Sequence, residues 1–349
     1  MRVAIDAYFN NNLGDDLFLD LLLNRYKNVQ FDFLVKDPES CQAFKDHPQV
    51  RFISRKTVLL NLVSYDAYIL IGGSLFQEPE DWKRQWKIFH ITVSAFKLFG
   101  KKTFVLGCNV GPIKTENYLN TYIRTFRKLT HMTVRDEYSY NLLKDKGIKL
   151  SLHPDIVLSK PVEQNINKSE NIIGISVIDW PGTNNQHSYV DTNVKLIKTL
   201  VENNKIVRMF SFQDTNKISD LKVINQILQG LDEEIKSNVE VVNYQGDIDR
   251  FLSLFAQCCA MVTTRFHSLI LAMKYQQNII PVIYSKKTVQ TLEYLGLDLK
   301  YYQLEDLYVE KIEDIARVLL GQNPEVIEID NLCRSSEEHF SILDRALRK

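Results

Sequence analysis

Short apolar runs alternate along most of the chain with longer stretches in which apolar residues recur every three or four positions. The short runs are Val3 to Ala7, Phe31 to Val35, Val50 to Ile53, Ala67 to Ile71, Thr103 to Leu106, Met132 to Val134, Ile172 to Ile178, Val207 to Phe212, Val239 to Asn243 and Ala260 to Val262, with a last one inside IIPVIYSKK. Runs of this length predict buried strands. Between them, Leu17, Phe18, Leu21 and Leu22 start one amphipathic helix, Trp82 to Lys102 and Gly246 to Cys258 read as two more, and Ser335 to Arg348 as another near the end. Strands alternating with helices predict parallel sheets with right-handed crossovers. Ser159 to Asn171 is polar, contains Pro161 and lacks apolar periodicity, so it reads as an interdomain linker. The expected organisation is a Rossmann-like domain over 1–160, a second over 170–330 and a C-terminal helix over 331–349.

The most informative stretch is Cys259 to Met273, CAMVTTRFHSLILAM: a buried strand, a polar turn and a buried helix. Thr263 and Thr264 are expected to cap the helix. Arg265 and His267 fall in its first turn, where free N–H groups and the positive dipole end attract an anion. Such strand ends are where open α/β sheets bind ligands. The plainer reading, a surface arginine and a satisfied core histidine, stands beside this one.

Other loops sit at equivalent places. In NNNLGDD, Asn12, Gly14, Asp15 and Asp16 occupy a turn. Gly14 is expected to supply a φ that other residues dislike. Asp15 or Asp16 reads either as a helix cap or as a carboxylate facing a substrate hydroxyl. Gly72-Gly73-Ser74 breaks a strand at its carboxyl end, where a glycine pair either lets the backbone approach a ligand or marks a plain loop. GCNVGP, which contains Asn109, forms a rigid loop. Arg135 follows a strand, and its plainer reading is a salt bridge with Asp136 or Glu137.

Composition narrows the function. Lysine plus arginine and aspartate plus glutamate are 43 each, which argues against general nucleic-acid binding. The five cysteines are odd in number and lack CxxC spacing, so neither a disulfide framework nor a zinc site is indicated and a reducing cytoplasm is expected. The opening MRVAIDAYF carries no signal-peptide pattern, and no apolar run is long enough to span a membrane. Trp82 to Lys102 holds six basic residues, no acidic ones and five Trp or Phe residues. It reads as a membrane-surface helix or, preferably, as a core-facing helix with solvated lysines.

Several segments together resemble the polysaccharide pyruvyl transferase family: NLGDD at 12–16, GGSLFQ at 72–77, GCNVGP at 107–112, VRDEYSYNLL at 134–143, Pro154-Asp155, TRFHSLILAM at 264–273 and PVIYSKK at 281–287. They occur in the family's order. The resemblance implies an α/β, GT-B-like fold of two Rossmann-like domains with parallel sheets facing across a cleft, the first on the acceptor side and the second on the donor side. It implies transfer of the enolpyruvyl carbons of phosphoenolpyruvate to sugar hydroxyls of a cell-surface or exopolysaccharide precursor, forming a pyruvate ketal and releasing phosphate. On it, Arg135, Arg265 and Lys287 bind the donor, and His267, with Asp15 and Asp16, is catalytic. Asn12, Gly73, Ser74 and Asn109 face the acceptor. No metal or cofactor is required beyond phosphoenolpyruvate as donor substrate. The acceptor is a glycan, free or lipid-linked; homo-oligomers and peripheral contact with the inner face of the membrane are compatible with this. The alternatives are a GT-B glycosyltransferase using a nucleotide sugar, and a non-catalytic glycan-binding member of an assembly complex. YSKK stands where such glycosyltransferases commonly carry a ribose-binding glutamate.

Overall fold

A computed structural model of the chain describes residues 1–162, 168–179, 186–297, 299–307, 311–321 and 327–347, apart from the side chains of 186, 187, 286 and 287. The chain forms two compact units. One comprises Met1–Asn10, Asp15–Lys160 and Asp330–Lys349, the other Asn11–Gly14 and Pro161–Ile329.

The first unit is built on a sheet of seven strands: β1 (Arg2–Asp6), β2 (Gln30–Phe33), β3 (Val50–Phe52), β4 (Ala67–Ile71), β5 (Lys102–Cys108), β6 (His131–Val134) and β7 (Leu150–Leu152). Their order is β3-β2-β1-β4-β5-β6-β7, and every pairing is parallel. The connections are α1 (Leu13–Arg25), α2 (Arg55–Leu60), α3 (Trp82–Leu98), α4 (Glu116–Phe126) and α5 (Glu137–Leu143). β4 is buried at all five positions. That is why its sequence, AYILI, reads as an unbroken apolar run: helices cover both faces of a parallel sheet.

α3 presents Phe89, Val93 and Phe96 to the core at helical spacing. Trp82 and Trp86 pack against the same cluster, which also holds Phe76 and Phe126 with ring centroids 4.9 Å apart. Four of the five aromatics in the 82–102 stretch therefore serve packing, as the preferred reading had it.

The second unit has six parallel strands, β8 (Ser169–Ser176), β9 (Ile206–Ser211), β10 (Val239–Asn243), β11 (Cys258–Thr263), β12 (Asn278–Ile283) and β13 (Tyr302–Gln303), ordered β10-β9-β8-β11-β12-β13. Its helices are α6 (Gln186–Glu202), α7 (Asp220–Gln229), α8 (Glu233–Lys236), α9 (Ile248–Ala256), α10 (Phe266–Lys274), α11 (Lys286–Tyr294) and α12 (Ile312–Leu320). β8 begins inside the stretch read as linker; residues 163–167 of that stretch lie outside the described residues. β13, with two residues, is too short to leave a sequence pattern.

The chain then returns to the first unit as α13 (Asp330–Glu337) and α14 (Ser341–Leu347). Ser336 Oγ donates to the Asp155 carbonyl at 2.6 Å, and the Arg25 guanidinium forks onto Asp344 at 2.7 and 2.9 Å. Between them, His339 is buried. Its Nδ1 lies 2.6 Å from Thr133 Oγ1 and its Nε2 2.7 Å from the Pro154 carbonyl, while Thr133 Oγ1 accepts from the Gly107 amide at 2.9 Å. A neutral imidazole with the proton on Nε2 satisfies this chain.

Burial pushes the His339 imidazole down to about 3 from its ordinary 6.5, with nearby His153 adding to the effect. The folded state thus refuses a proton that the unfolded chain accepts below pH 6.5. Stability from this group is complete above 6.5 and is lost as pH falls from there toward 3. Urea unfolding should show stability falling by up to about 1.4 kcal/mol per pH unit for each such group in that window. His339→Gln should reduce the slope; an unchanged slope would assign the acid sensitivity to other groups, with His131 and His153 next.

Candidate functional site

In a doubly wound sheet the crevice opens where strand order reverses, at the carboxyl ends of the strands. In the second unit that point lies between β8 and β11, whose last residues, Ser176 and Thr263, are register partners. The helix that starts there is α10. Its N-cap is Arg265, in an extended conformation and without a side-chain cap. The expectation that Thr263 and Thr264 cap it is corrected: the Thr264 amide donates to Ser176 Oγ at 2.9 Å, which in turn sits 2.7 Å from Ser268 Oγ. A buried serine pair closes the turn, and the threonines stay on the strand side.

Arg265 is held by Asp220. Its Nε donates to Oδ2 at 3.0 Å and its Nη2 to Oδ1, which leaves Nη1 outside the pair. Asp220 is fully buried and also accepts from the amides of Asp179, Phe212 and Gln213 at 3.1, 3.1 and 3.2 Å. Burial pushes its carboxyl up, while Arg265 and the amides pull the other way. Asp220 was not among the residues singled out from sequence. A signal existed: Ser219-Asp220 precedes Val223, Ile224 and Ile227 at helical spacing, and Ser219 Oγ does cap α7, accepting from the Lys222 amide at 3.1 Å.

His267 is the second residue of α10 and is half-buried. Its ring lies against Gly14, where any Cβ would overlap the imidazole. This corrects the reading of Gly14, whose φ is not positive: glycine is needed here for the approach of the ring. The loop carrying Gly14 is pinned within the same unit. Leu13 N–H donates to the Phe212 carbonyl at 3.1 Å, and Asn12 Nδ2 donates to Gln213 Oε1 at 3.2 Å. Asn12 Oδ1 also accepts from the Gly14 amide at 2.9 Å, so Asn12 supplies the polar end of α1. The expectation that Asp15 or Asp16 caps α1 is corrected accordingly; both lie inside its first turn, and Asp16 is fully buried. Lys287 lies in the first turn of α11, and its side chain is outside the described residues.

In the first unit a second group converges. Arg135, only 7 % exposed, donates from Nε to Asn109 Oδ1 at 2.6 Å and from Nη1 to Asp155 Oδ2 at 2.5 Å. Its guanidinium fills the space where a side chain on Gly73 would stand. Asn109 Nδ2 donates to Asp136, which caps α5 through the Ser139 amide at 2.8 Å. The plainer reading of Arg135 is corrected: its ion-pair partner is Asp155, because Asp136 is engaged as a cap. The structure thus gathers Gly73, Asn109 and Arg135 into one buried cluster, and the approach that Gly73 allows is that of Arg135.

Ser74 is placed elsewhere. With Asp6, Tyr8, Arg55, Gln77 and Gln85 it lines a cleft of about 510 Å³ beside the ends of β1 and β4, the reversal point of this sheet. Leu75, Phe76, Ile88, Phe89 and Tyr122 form its apolar wall. Asp6 accepts from Arg55 Nη2 at 2.5 Å and from the Tyr68 hydroxyl at 3.0 Å. Asp6 was visible in the sequence as the charge that interrupts the first apolar run; nothing in the sequence marked Arg55. Among the described residues no group of three or more His, Cys, Asp or Glu side chains is placed to hold a metal ion.

The family model for polysaccharide pyruvyl transferase matches residues 12–286. The chain belongs to this family. That match spans the loop at Asn12, both clusters above and the start of α11. No curated protein sequence matches the chain. Among solved structures, UDP-GlcNAc 2-epimerase from Methanocaldococcus jannaschii superposes with a TM-score of 0.65 at 12 % identity, covering 99 % of this chain and 100 % of the other. Anabaena Alr3699/HepE with UDP-glucose gives 0.62 at 11 % identity, covering 99 % and 98 %. UDP-GlcNAc 2-epimerase from Neisseria meningitidis bound to UDP-GlcNAc gives 0.58 at 10 %, covering 100 % of both. At such identities the likeness is one of fold, and the fold of this polysaccharide pyruvyl transferase family member is GT-B-like.

Removing Asp220 leaves Arg265 in a buried site without its carboxylate, a change that typically costs about 3–5 kcal/mol. Asp220→Ala should therefore lower the urea midpoint of the full chain by a corresponding amount. A loss under about 1 kcal/mol, as for an exposed pair, would show that Asp220 is not the anchor described.

Proposed function

We propose that the protein transfers the enolpyruvyl group of phosphoenolpyruvate to two hydroxyls of a sugar in an envelope or exopolysaccharide precursor. The observation that carries this reading is the start of α10, where Arg265 and His267 stand two residues apart at a sheet reversal point, one fixed by Asp220 and the other against Gly14. Phosphoenolpyruvate offers a phosphate and a carboxylate, the anions that an arginine fork and a helix start recognise. Arg265 Nη1 would take the donor, and the family likeness extends the donor set to Arg135 and Lys287.

The chemistry needs one proton placed on the vinyl carbon and two removed from sugar hydroxyls. Protonating the methylene carbon makes an oxocarbenium-like centre at the neighbouring carbon. The first hydroxyl oxygen adds there and loses its proton. The C–O bond to phosphate then breaks, and the second hydroxyl oxygen closes the ketal, its proton leaving with the phosphate. His267 is assigned the acid/base role, as a positioned imidazole near neutral pH. Asp15 and Asp16 stay as secondary candidates on the family likeness; the full burial of Asp16 makes Asp15 the better placed of the two to meet a substrate. The acceptor sugar is assigned to the first unit's cleft, where Asp6, Ser74 and Gln77 supply hydroxyl partners and Phe76, Phe89 and Tyr122 an apolar wall for the ring.

His267→Gln should cut turnover by about 10²–10⁴-fold with donor affinity kept, whereas Arg265→Ala should lose donor binding in calorimetry. Tighter binding of a nucleotide sugar than of phosphoenolpyruvate would favour the glycosyltransferase alternative. Undiminished acceptor binding with no turnover in the wild type would favour the non-catalytic one.

Gly14→Ala gives a separate check. Alanine suits a helix start better than glycine, so the only local penalty is displacement of the imidazole. Turnover should fall on the order of 10²-fold while the fold holds. Near-normal turnover would show that the seat of His267 on Gly14 does not position a reacting group.

A further inference from the structure

We propose that α3 and the end of α2 form a docking surface for an anionic lipid bilayer. The face of α3 that points away from the core carries Arg84, Lys87, Ile88, Ile91 and Leu98, which fall on one side of the helix along about 20 Å of its length. Leu98 is 84 % exposed, Ile91 55 % and Phe99 just beyond it 51 %. Leu60 and Val63 are 74 % and 75 % exposed. The segment that carries them is tied alongside α3, since Arg55 Nη1 donates to Thr92 Oγ1 at 3.3 Å and Lys101 Nζ to the Val63 carbonyl at 3.1 Å. Large apolar side chains gathered like this on a folded unit mark an interaction site.

Charge decides the occupant. Lys83, Arg84, Lys87, Lys97, Lys101 and Lys102 lie in or just beyond the helix, and the stretch from 82 to 102 has no acidic residue. Among the described residues none of these cations is in a salt bridge. The nearest carboxylates along the chain, Glu80 and Asp81, precede the helix at one end. An apolar strip flanked by long cations that can reach past it is the arrangement of a helix lying in a membrane interface. Among the described residues no helix is long and apolar enough to cross the bilayer, so the contact is peripheral. Ile88 belongs both to this strip and to the wall of the cleft, so docking would bring the cleft to the surface on which a lipid-linked sugar is presented. That last step rests on the proposed function; the docking itself does not.

The test uses the full chain and vesicles of phosphatidylcholine with or without phosphatidylglycerol. The wild type should sediment with the anionic vesicles, leave them in high salt and ignore the neutral ones. Ile91→Glu with Leu98→Glu should weaken binding about tenfold or more at an unchanged melting temperature, since both sites are exposed. Lys97→Gln and Lys101→Gln should each weaken it on the order of fivefold. A Leu98→Trp variant should show a blue shift in emission, absent from the wild type, when anionic vesicles are added. Failure to sediment, or sedimentation indifferent to the glutamates, overturns the proposal. Concentration-dependent self-association that Leu98→Glu abolishes, without vesicle binding, assigns the face to a second copy of the chain instead. None of these readouts involves phosphoenolpyruvate, so the donor assignment and the docking surface fail separately.

Discussion

One buried carboxylate organises the second unit's site. Asp220 accepts from amides just beyond β8 and β9 and from the arginine that opens α10, so a single side chain ties three strand ends together. Phe212 and Gln213, whose amides it holds, are the residues to which Leu13 and Asn12 are pinned. Gly14 follows, and against Gly14 lies the His267 ring. Arg265 is thus fixed by Asp220 directly, and His267 through a short relay of backbone and amide bonds. Side chains two apart on a helix do not share a face. Anchoring one on a carboxylate and the other on a bare backbone is a way for a helix start to orient both.

The first unit solves a similar problem with different parts. Arg135 is buried, so its charge must be met inside the protein. Asp155 and Asn109 meet it, and Asn109 is in turn fixed by Asp136. Pro154 and Asp155 are braced from behind by His339 and Ser336, which is why the last helices belong to this unit despite their distance in sequence. In both units a glycine works by absence: Gly73 makes room for a guanidinium and Gly14 for an imidazole.

The alternation of strands and helices was legible because parallel strands buried on both faces must be apolar throughout. β4 and β11 stand out for that reason, and β13 is invisible because two residues make no pattern. Candidate residues stood out where a charge follows or breaks an apolar stretch, as at Arg135, Arg265 and His267, whereas Asp6 showed only as a break in the first apolar run. The site was less legible where partners come from segments that look merely polar. Asp220 reads as one more helix-start acid, and only the fold shows that its carboxylate faces Arg265. Cap assignments failed for a related reason. Asn12 and the Ser176–Ser268 pair took over the helix starts, the latter joining residues 92 positions apart, a pairing that no local motif encodes.

Pairing Arg265 with a carboxylate does not use up its guanidinium. Arg265 donates to Asp220 from Nε and Nη2, which fixes the plane of the guanidinium and leaves Nη1 outside the pair. The carboxylate, for its part, is also satisfied by three backbone amides, so its charge is shared among several donors. On the proposed donor role, an anion reaching the start of α10 meets a cation already oriented. Ordering a flexible arginine at the moment of binding would cost rotamer entropy that this arrangement has already met on folding. On the proposed reaction, the same rigidity would help to hold an acid and the vinyl group in one geometry.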